Sequence, residues 1–164
     1  MGYQGSWSGM RKFLEQDILA ECLRGRIRYN CPGGVNLYEF HRIEVCVDGK
    51  PYKNFSWEAV NSYFIRQGYV QKTYPMNVMD YWKDYWNTFD EYPMASRAEY
   101  TDREFAEALG AYRQQDIQSS LASENPIVRM FAVLDRRVGK RTLATLKEET
   151  KKQPEWLRIL MNYG

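Results

Sequence analysis

Histidine occurs once in this chain of 164 residues, at His41, and cysteine three times, at Cys22, Cys31 and Cys46. One histidine leaves little room for a His-based catalytic triad, because no nucleophile is presented near it in sequence. The three cysteines lack the paired spacing of a zinc site, and an odd number does not make a disulfide framework. Both scarcities point to a reduced, cytoplasmic protein without a resident metal or cofactor. No apolar run approaches the ~20 residues that cross a bilayer as a helix. The N-terminus shows no basic and apolar regions of a secretory signal. Met1-Gly2-Tyr3-Gln4-Gly5-Ser6 fits the outline of an N-myristoylation signal, a pattern short enough to arise by chance.

Aromatic residues are plentiful, with thirteen Tyr, seven Phe and five Trp, and such a chain buries too much surface to be disordered. The net charge of +2 conceals two opposed blocks. Residues 126–164 carry nine Lys/Arg against four Asp/Glu, a net of +5, whereas residues 80–116 carry four against nine, a net of −5. Either the blocks pack together and neutralise each other, or the basic one faces an acidic partner or a polyanion.

The order of patterns predicts an α+β fold. Ser6 or Ser8 caps a first helix running to about Leu23, with Trp7, Met10, Phe13/Leu14, Ile18 and Cys22 on its apolar stripe. Cys22 is then a small core side chain. Alternation at residues 26–29, a long strand from Leu37 to Val47, an Asp48-Gly49 hairpin and a return over 51–55 give a three-stranded antiparallel meander. His41 and Glu39 share one strand face, where a half-exposed polar surface is the commoner outcome than an acid–base pair.

Ser56 caps a second helix that ends at Gly68. The segment NVMDYWKDYWNTF, 77–89, is a third, with Asn77 as its cap. Its predicted stripe is Met79, Trp82, Trp86 and Phe89, with Tyr85 at the edge. Tyr81 and Tyr85 are candidate partner contacts. Asp80 and Asp84, one turn apart, invite a metal, but no third ligand stands at a clear spacing. Thr101 with Glu104 forms a capping box for a long helix to about Leu121. Asn125 and Pro126 open another, with Ile127, Met130, Phe131, Leu134 and Val138 as its stripe and Gly139 as a left-handed stop. Two more helices, from about Lys140 and from Gln153-Pro154, complete a C-terminal bundle of short helices. Residues 1–92 and 97–164 thus form an α+β region and a helical region of one compact unit.

The stretch NPIVRMFAVLDRRVGKRTL, 125–143, holds the clearest candidate site. Arg129, Arg136, Arg137, Lys140 and Arg141 cluster in and after its helix. In a purely structural role Arg136 and Arg137 favour the negative helix end, and Asp135 pairs with a neighbouring cation. Gly139-Lys140-Arg141-Thr142 has the outline of a phosphate-loop ending. Leu134, however, stands where its first glycine is required, and Arg141 replaces the hydroxyl residue. With no catalytic signature, the expectation is a non-catalytic protein-binding module (an inhibitor, an immunity-type protein or an assembly partner) that meets an acidic protein surface. A nucleic-acid-binding protein using the basic C-terminal region is the alternative, and an enzyme is the weaker reading.

The segments AVLDRRVGKRTL (132–143), GSWSGMRKFLEQ (5–16) and LRGRIRY (23–29) resemble a family of small, uncharacterised bacterial proteins. That resemblance implies a soluble protein of a bacterial cytosol. It supplies no catalytic residue, cofactor or substrate.

Overall fold

Residues 5–32, 42–70, 78–149 and 153–163 are described in the structure, a computed structural model. Residues 1–4 of the acylation outline, the Glu39–His41 pair and the Asn77 cap lie outside the described residues. Ser6 caps α1 (Trp7–Lys12), its hydroxyl accepting the Gly9 N–H at 3.0 Å. The helix then widens into a π turn over Phe13–Asp17 and stops at Ile18, short of the expected Leu23. A long-range contact ends it. Ala20 N–H donates to the Leu134 carbonyl at 2.8 Å, and Arg136 N–H donates to the Ile18 carbonyl at 2.7 Å. Leu19 is buried by this bridge, and after a short 3₁₀ turn (Glu21–Leu23) Leu23 takes the core position expected of Cys22. The Cys22 thiol is exposed.

Three antiparallel strands follow in the order β1 (Ile27–Asn30), β2 (Arg42–Val47), β3 (Lys50–Ser56). Their inner face is apolar at alternate positions, with Ile27, Tyr29, Ile43, Val45, Val47 and Phe55 all buried. Asp48 and Gly49 have φ of 50° and 80°, as a two-residue hairpin turn matched to strand twist requires. Pro51, which has no N–H to donate, sits on the edge strand. Register slips between Val45 and Cys46: Val45 faces Lys53 and Cys46 faces Pro51, so Tyr52 is the extra residue of a bulge. Its hydroxyl donates to the Trp156 carbonyl, tying the bulge to the last helix.

Ser56 caps α2 (Trp57–Arg66) through the Ala59 N–H at 3.1 Å. Gly68, with φ of 74°, ends it in the left-handed region where glycine is unstrained. α3 spans Val78–Glu91, and after a 3₁₀ turn at Met94–Ser96 comes α4 (Asp102–Gln114). Thr101 and Glu104 close the capping box at α4, each bond 3.0 Å. The helix expected to reach Leu121 is divided. Gln115 is extended, and Asp116 recaps α5 (Ile117–Leu121) by accepting the Ser119 N–H at 2.8 Å.

α6 (Pro126–Leu134) is capped by Asn125, whose side chain accepts the N–H groups of Ile127 and Val128. It is buried on every side except at Arg129, rather than along one stripe. Nor does Gly139 stop it. Asp135 is already extended, because the backbone around it bridges to residues 18–20, and Gly139 (φ −77°) is instead the N-cap of α7 (Lys140–Glu148). α8 (Glu155–Met161) closes the bundle.

The fold is α+β, and its main core crosses the two halves of the chain. Met10, Ile27 and Phe55 share one cluster with Phe105, Phe131 and Leu157. A second, smaller cluster joins α2 to α3 through Val60, Phe64, Val70 and Tyr85. There the expected stripe has turned: Tyr85 and Thr88 are buried, whereas Met79 and Trp86 are 73% and 57% exposed. Thr88 tolerates burial because its hydroxyl donates to the Asp84 carbonyl at 2.7 Å. Arg97 stands between the two clusters. Its guanidinium lies 4.9 Å from the Phe89 ring of one and 5.8 Å from the Tyr100 ring of the other, and it pairs with Glu104. Among the described residues no helix is long and apolar enough to cross a membrane.

Candidate partner-binding site

The chain leaves α6 at Leu134 and enters α7 at Lys140, and the five residues between form the basic turn. Asp135 is its buried post. The Asp135 carboxylate accepts from Arg137 Nε at 3.0 Å, from a terminal guanidinium nitrogen of Arg137 at 2.8 Å and from the Arg137 backbone N–H at 2.8 Å. The Tyr112 hydroxyl of α4 donates to it as well. Burial alone would raise this carboxyl's pKa, but Arg137 and Tyr112 together hold it below the ordinary carboxylate range. Burial and the neighbouring carboxylate push the Tyr112 hydroxyl upward. Arg137 thus serves the fold, locking the turn onto α4.

Arg136, Lys140 and Arg141 differ. All three are exposed, and their side chains meet no carboxylate among the described residues. Lys140 and Arg141 occupy the first turn of α7, where the helix dipole disfavours cations by about 0.3–1 kcal/mol each. Gly139 offers no side chain to cap that turn, and no acid stands in it. Positive charge is therefore concentrated where the fold gains nothing from it.

Two other candidates change status. Arg129 is half-buried, donates to the Ser123 carbonyl at 2.8 Å, and has its pKa lowered by burial, so it braces the approach to α6. Tyr85, expected at the edge of its helix and facing a partner, has no exposed surface; it is the centre of the α2–α3 cluster, ringed by Trp57, Phe64, Trp82 and Phe89. The side chain of Tyr81 lies outside the described residues.

A second surface gave no signal in the sequence. An open groove of about 740 Å³ runs between β3, α2, residues 98–99 and α8, lined among others by Arg42, Lys53, Arg66, Glu58, Glu99, Glu155, Trp156 and Ile159. Its named cations and carboxylates balance. Lys53 lies at the floor with 7% of its side chain exposed, donating to the Ala98 carbonyl at 2.7 Å and to Glu99 at 3.2 Å. The rings of Trp156, Tyr100 and Phe55 surround it at 5.0, 5.5 and 5.9 Å. Burial pulls the ammonium below its usual pKa, and the Glu99 carboxylate opposes that shift. The Ser56 hydroxyl on the same wall donates to Asn54 at 2.8 Å while capping α2. Lys53, Glu99 and Ser56 thus already serve the fold. Among the described residues no cluster of His, Cys, Asp or Glu fits a metal ion.

No curated protein and no solved structure matches the chain. One family model covers it almost from end to end and, apart from Gly5, takes in all three segments that carried the resemblance. The chain belongs to the SF0329 protein family, whose model matches residues 6–163.

Proposed function

We propose that this protein is a non-catalytic protein-binding module, acting as an inhibitor, an immunity-type protein or an assembly partner, and that Arg136, Lys140 and Arg141 meet an acidic surface of its partner. The observation that carries the reading is the uncapped first turn of α7, loaded with cations and without a carboxylate. A partner carboxylate placed there accepts from the free backbone N–H groups and neutralises the side chains, so one contact relieves both costs. The same reading puts the protein in the reducing cytoplasm of a bacterium, which suits the free thiols of Cys22, Cys31 and Cys46.

Backbone N–H groups and cations at a helix start also suit phosphate, so nucleic acid is the second reading. Affinity capture from the lysate of the source organism separates the two. A partner protein retained after nuclease treatment, and lost about tenfold or more with Arg136→Glu/Lys140→Glu/Arg141→Glu, is the expected result. Equal retention by the wild type and the triple variant contradicts the site. Copurifying nucleic acid, displaced steeply by salt, favours the second reading.

A further inference from the structure

The fold brings the first helix and the first strand together over a cleft that neither shows alone. We infer that this cleft, between α1, the π turn after it and the start of β1, binds the phosphoryl group of a small soluble molecule. It is a second site, apart from the basic turn, and it does not rest on the turn's being a partner contact.

The cleft has a volume of about 380 Å³, with Arg11, Lys12, Glu15 and Gln16 on one wall and Arg24 and Arg28 on the other. Four cations thus face one carboxylate, a net of +3. Glu15, with 13% of its side chain exposed, is engaged by Arg11 at 3.0 Å. Arg24 is held by a neutral acceptor. One of its terminal nitrogens donates to the Gln16 carbonyl at 3.3 Å, which steadies the guanidinium and leaves its charge uncompensated. Lys12 and Arg28 are exposed and meet no carboxylate among the described residues.

No acid among the described residues is placed to neutralise these three. Asp17 and Glu21, nearest in sequence, stand outside the cleft walls. Across the ladder Arg28 faces Cys46, and the acids diagonal to it are engaged elsewhere, Asp48 by Arg26 at 2.9 Å and Glu44 by Arg42 at 2.7 Å. Arg26, two residues before Arg28, is the cation the fold uses. The backbone agrees with the charges. A π turn is a rare geometry, frequent at functional sites, and the one over Phe13–Asp17 carries both Glu15 and Gln16.

Charge and size choose the ligand. A single carboxylate leaves two of the three cations unmatched, whereas a phosphomonoester brings roughly two negative charges at neutral pH and three strong acceptor oxygens. Guanidinium forks match phosphate oxygens in pairs; Arg24 and Arg28 supply two forks, and Lys12 a point charge. The cleft lies near the lower end of the ~300–1,000 Å³ of small-molecule sites, so it suits one compact phosphorylated molecule rather than the length of a polymer.

Isothermal titration calorimetry of the purified full chain with pyrophosphate, in low salt, tests the inference. One pyrophosphate per chain is expected, bound more tightly than citrate, which has a comparable charge without tetrahedral phosphoryl oxygens. Lys12→Glu/Arg28→Glu is expected to weaken binding about tenfold or more. Lys12→Gln/Arg28→Gln, a milder change, is expected to weaken it less while keeping the melting temperature of the free chain. Lys140→Glu/Arg141→Glu is expected to bind pyrophosphate as the wild type does, so that failure of the cleft and failure of the turn are told apart. Titration without saturation, citrate binding as tightly, unchanged binding by the Lys12/Arg28 variants, or equal loss in the turn variant overturns the inference. Vesicles of phosphatidylcholine with phosphatidic acid are expected not to retain the chain. Retention that Lys12→Glu/Arg28→Glu abolishes assigns the phosphate to a lipid headgroup and overturns the soluble ligand. Single-stranded RNA bound through the same two residues and not displaced by pyrophosphate overturns it too.

Discussion

The buried cations of the fold and the cations of the basic turn are treated in opposite ways. Lys53 at the groove floor and Arg97 between the two apolar clusters have 7% and 2% of their side chains exposed, and each is paired with a glutamate and set against aromatic rings. At the turn, Arg136, Lys140 and Arg141 stand in solvent, the last two at the wrong end of the α7 dipole. Burying a cation costs several kcal/mol unless it is paired and hydrogen-bonded, so Lys53 and Arg97 are committed to holding residues 97–99 between β3 and α4. The turn cations hold nothing. A basic residue in this chain therefore reads as structural or partner-facing by its pairing, and Arg137 and Arg129 fall on the structural side.

The contrast is broken most severely at Glu104. Glu104→Ala removes the carboxylate that pairs the buried Arg97 and also half of the α4 capping box. The expected loss is about 3–5 kcal/mol in urea denaturation. Glu104→Gln, which preserves the reciprocal cap, is expected to lose less. Asp135→Asn comes next, at about 2 kcal/mol near neutral pH, because Arg137 and Tyr112 lose a charged acceptor while Arg137 remains half in water.

That second effect carries a pH signature. The folded Asp135 pKa lies below its ordinary value, so its contribution is complete above the unfolded pKa of about 4 and fades as pH falls through the folded one. The stability gap between wild type and Asp135→Asn is expected to close in acid, as chemical denaturation at stepped pH reports. A gap that widens as pH falls refutes the assignment.

Lys53→Met sharpens the comparison at a smaller scale. Methionine fills the ring cage without a buried charge, and Glu99 keeps access to water. A change within about 1 kcal/mol in either direction is expected, since apolar replacement of a buried cation is often neutral. Loss of more than about 3 kcal/mol shows the ammonium to be indispensable.

Local signals carried much of this fold in the sequence. Ser56, Thr101 with Glu104, and Asn125-Pro126 cap helices as their chemistry predicts, and Asp48-Gly49 makes the hairpin. The failures share a different cause. The first helix stops at Ile18, α6 stops at Leu134 and Gly139 begins a helix instead of ending one, all because residues 18–20 bridge to 134–136 across the fold. No short window of sequence contains that contact. The apolar spacing continues across Gln115 and hides the break at which Asp116 caps α5.

The site divided in the same way. The cluster of Arg and Lys was plain, but its sorting depended on Asp135 meeting Tyr112, 23 residues away. The groove was invisible because Lys53, Glu99 and Trp156 come together only through tertiary packing. α3 misled by rotation: a helix this rich in Tyr, Trp and Phe offers several stripes, and packing on α2 chose the one centred on Tyr85.

The smallest predicted effect on stability is also the most telling. If Arg136, Lys140 and Arg141 are reserved for a partner, then replacing all three with alanine costs the fold nothing. The measurement is the melting temperature of Arg136→Ala/Lys140→Ala/Arg141→Ala in dilute solution, where association does not contribute. A value within about 2 °C of the wild type, or above it as the cations leave the α7 dipole, is the expected result. A fall of about 6 °C or more contradicts the account, because it returns the turn cations to the fold.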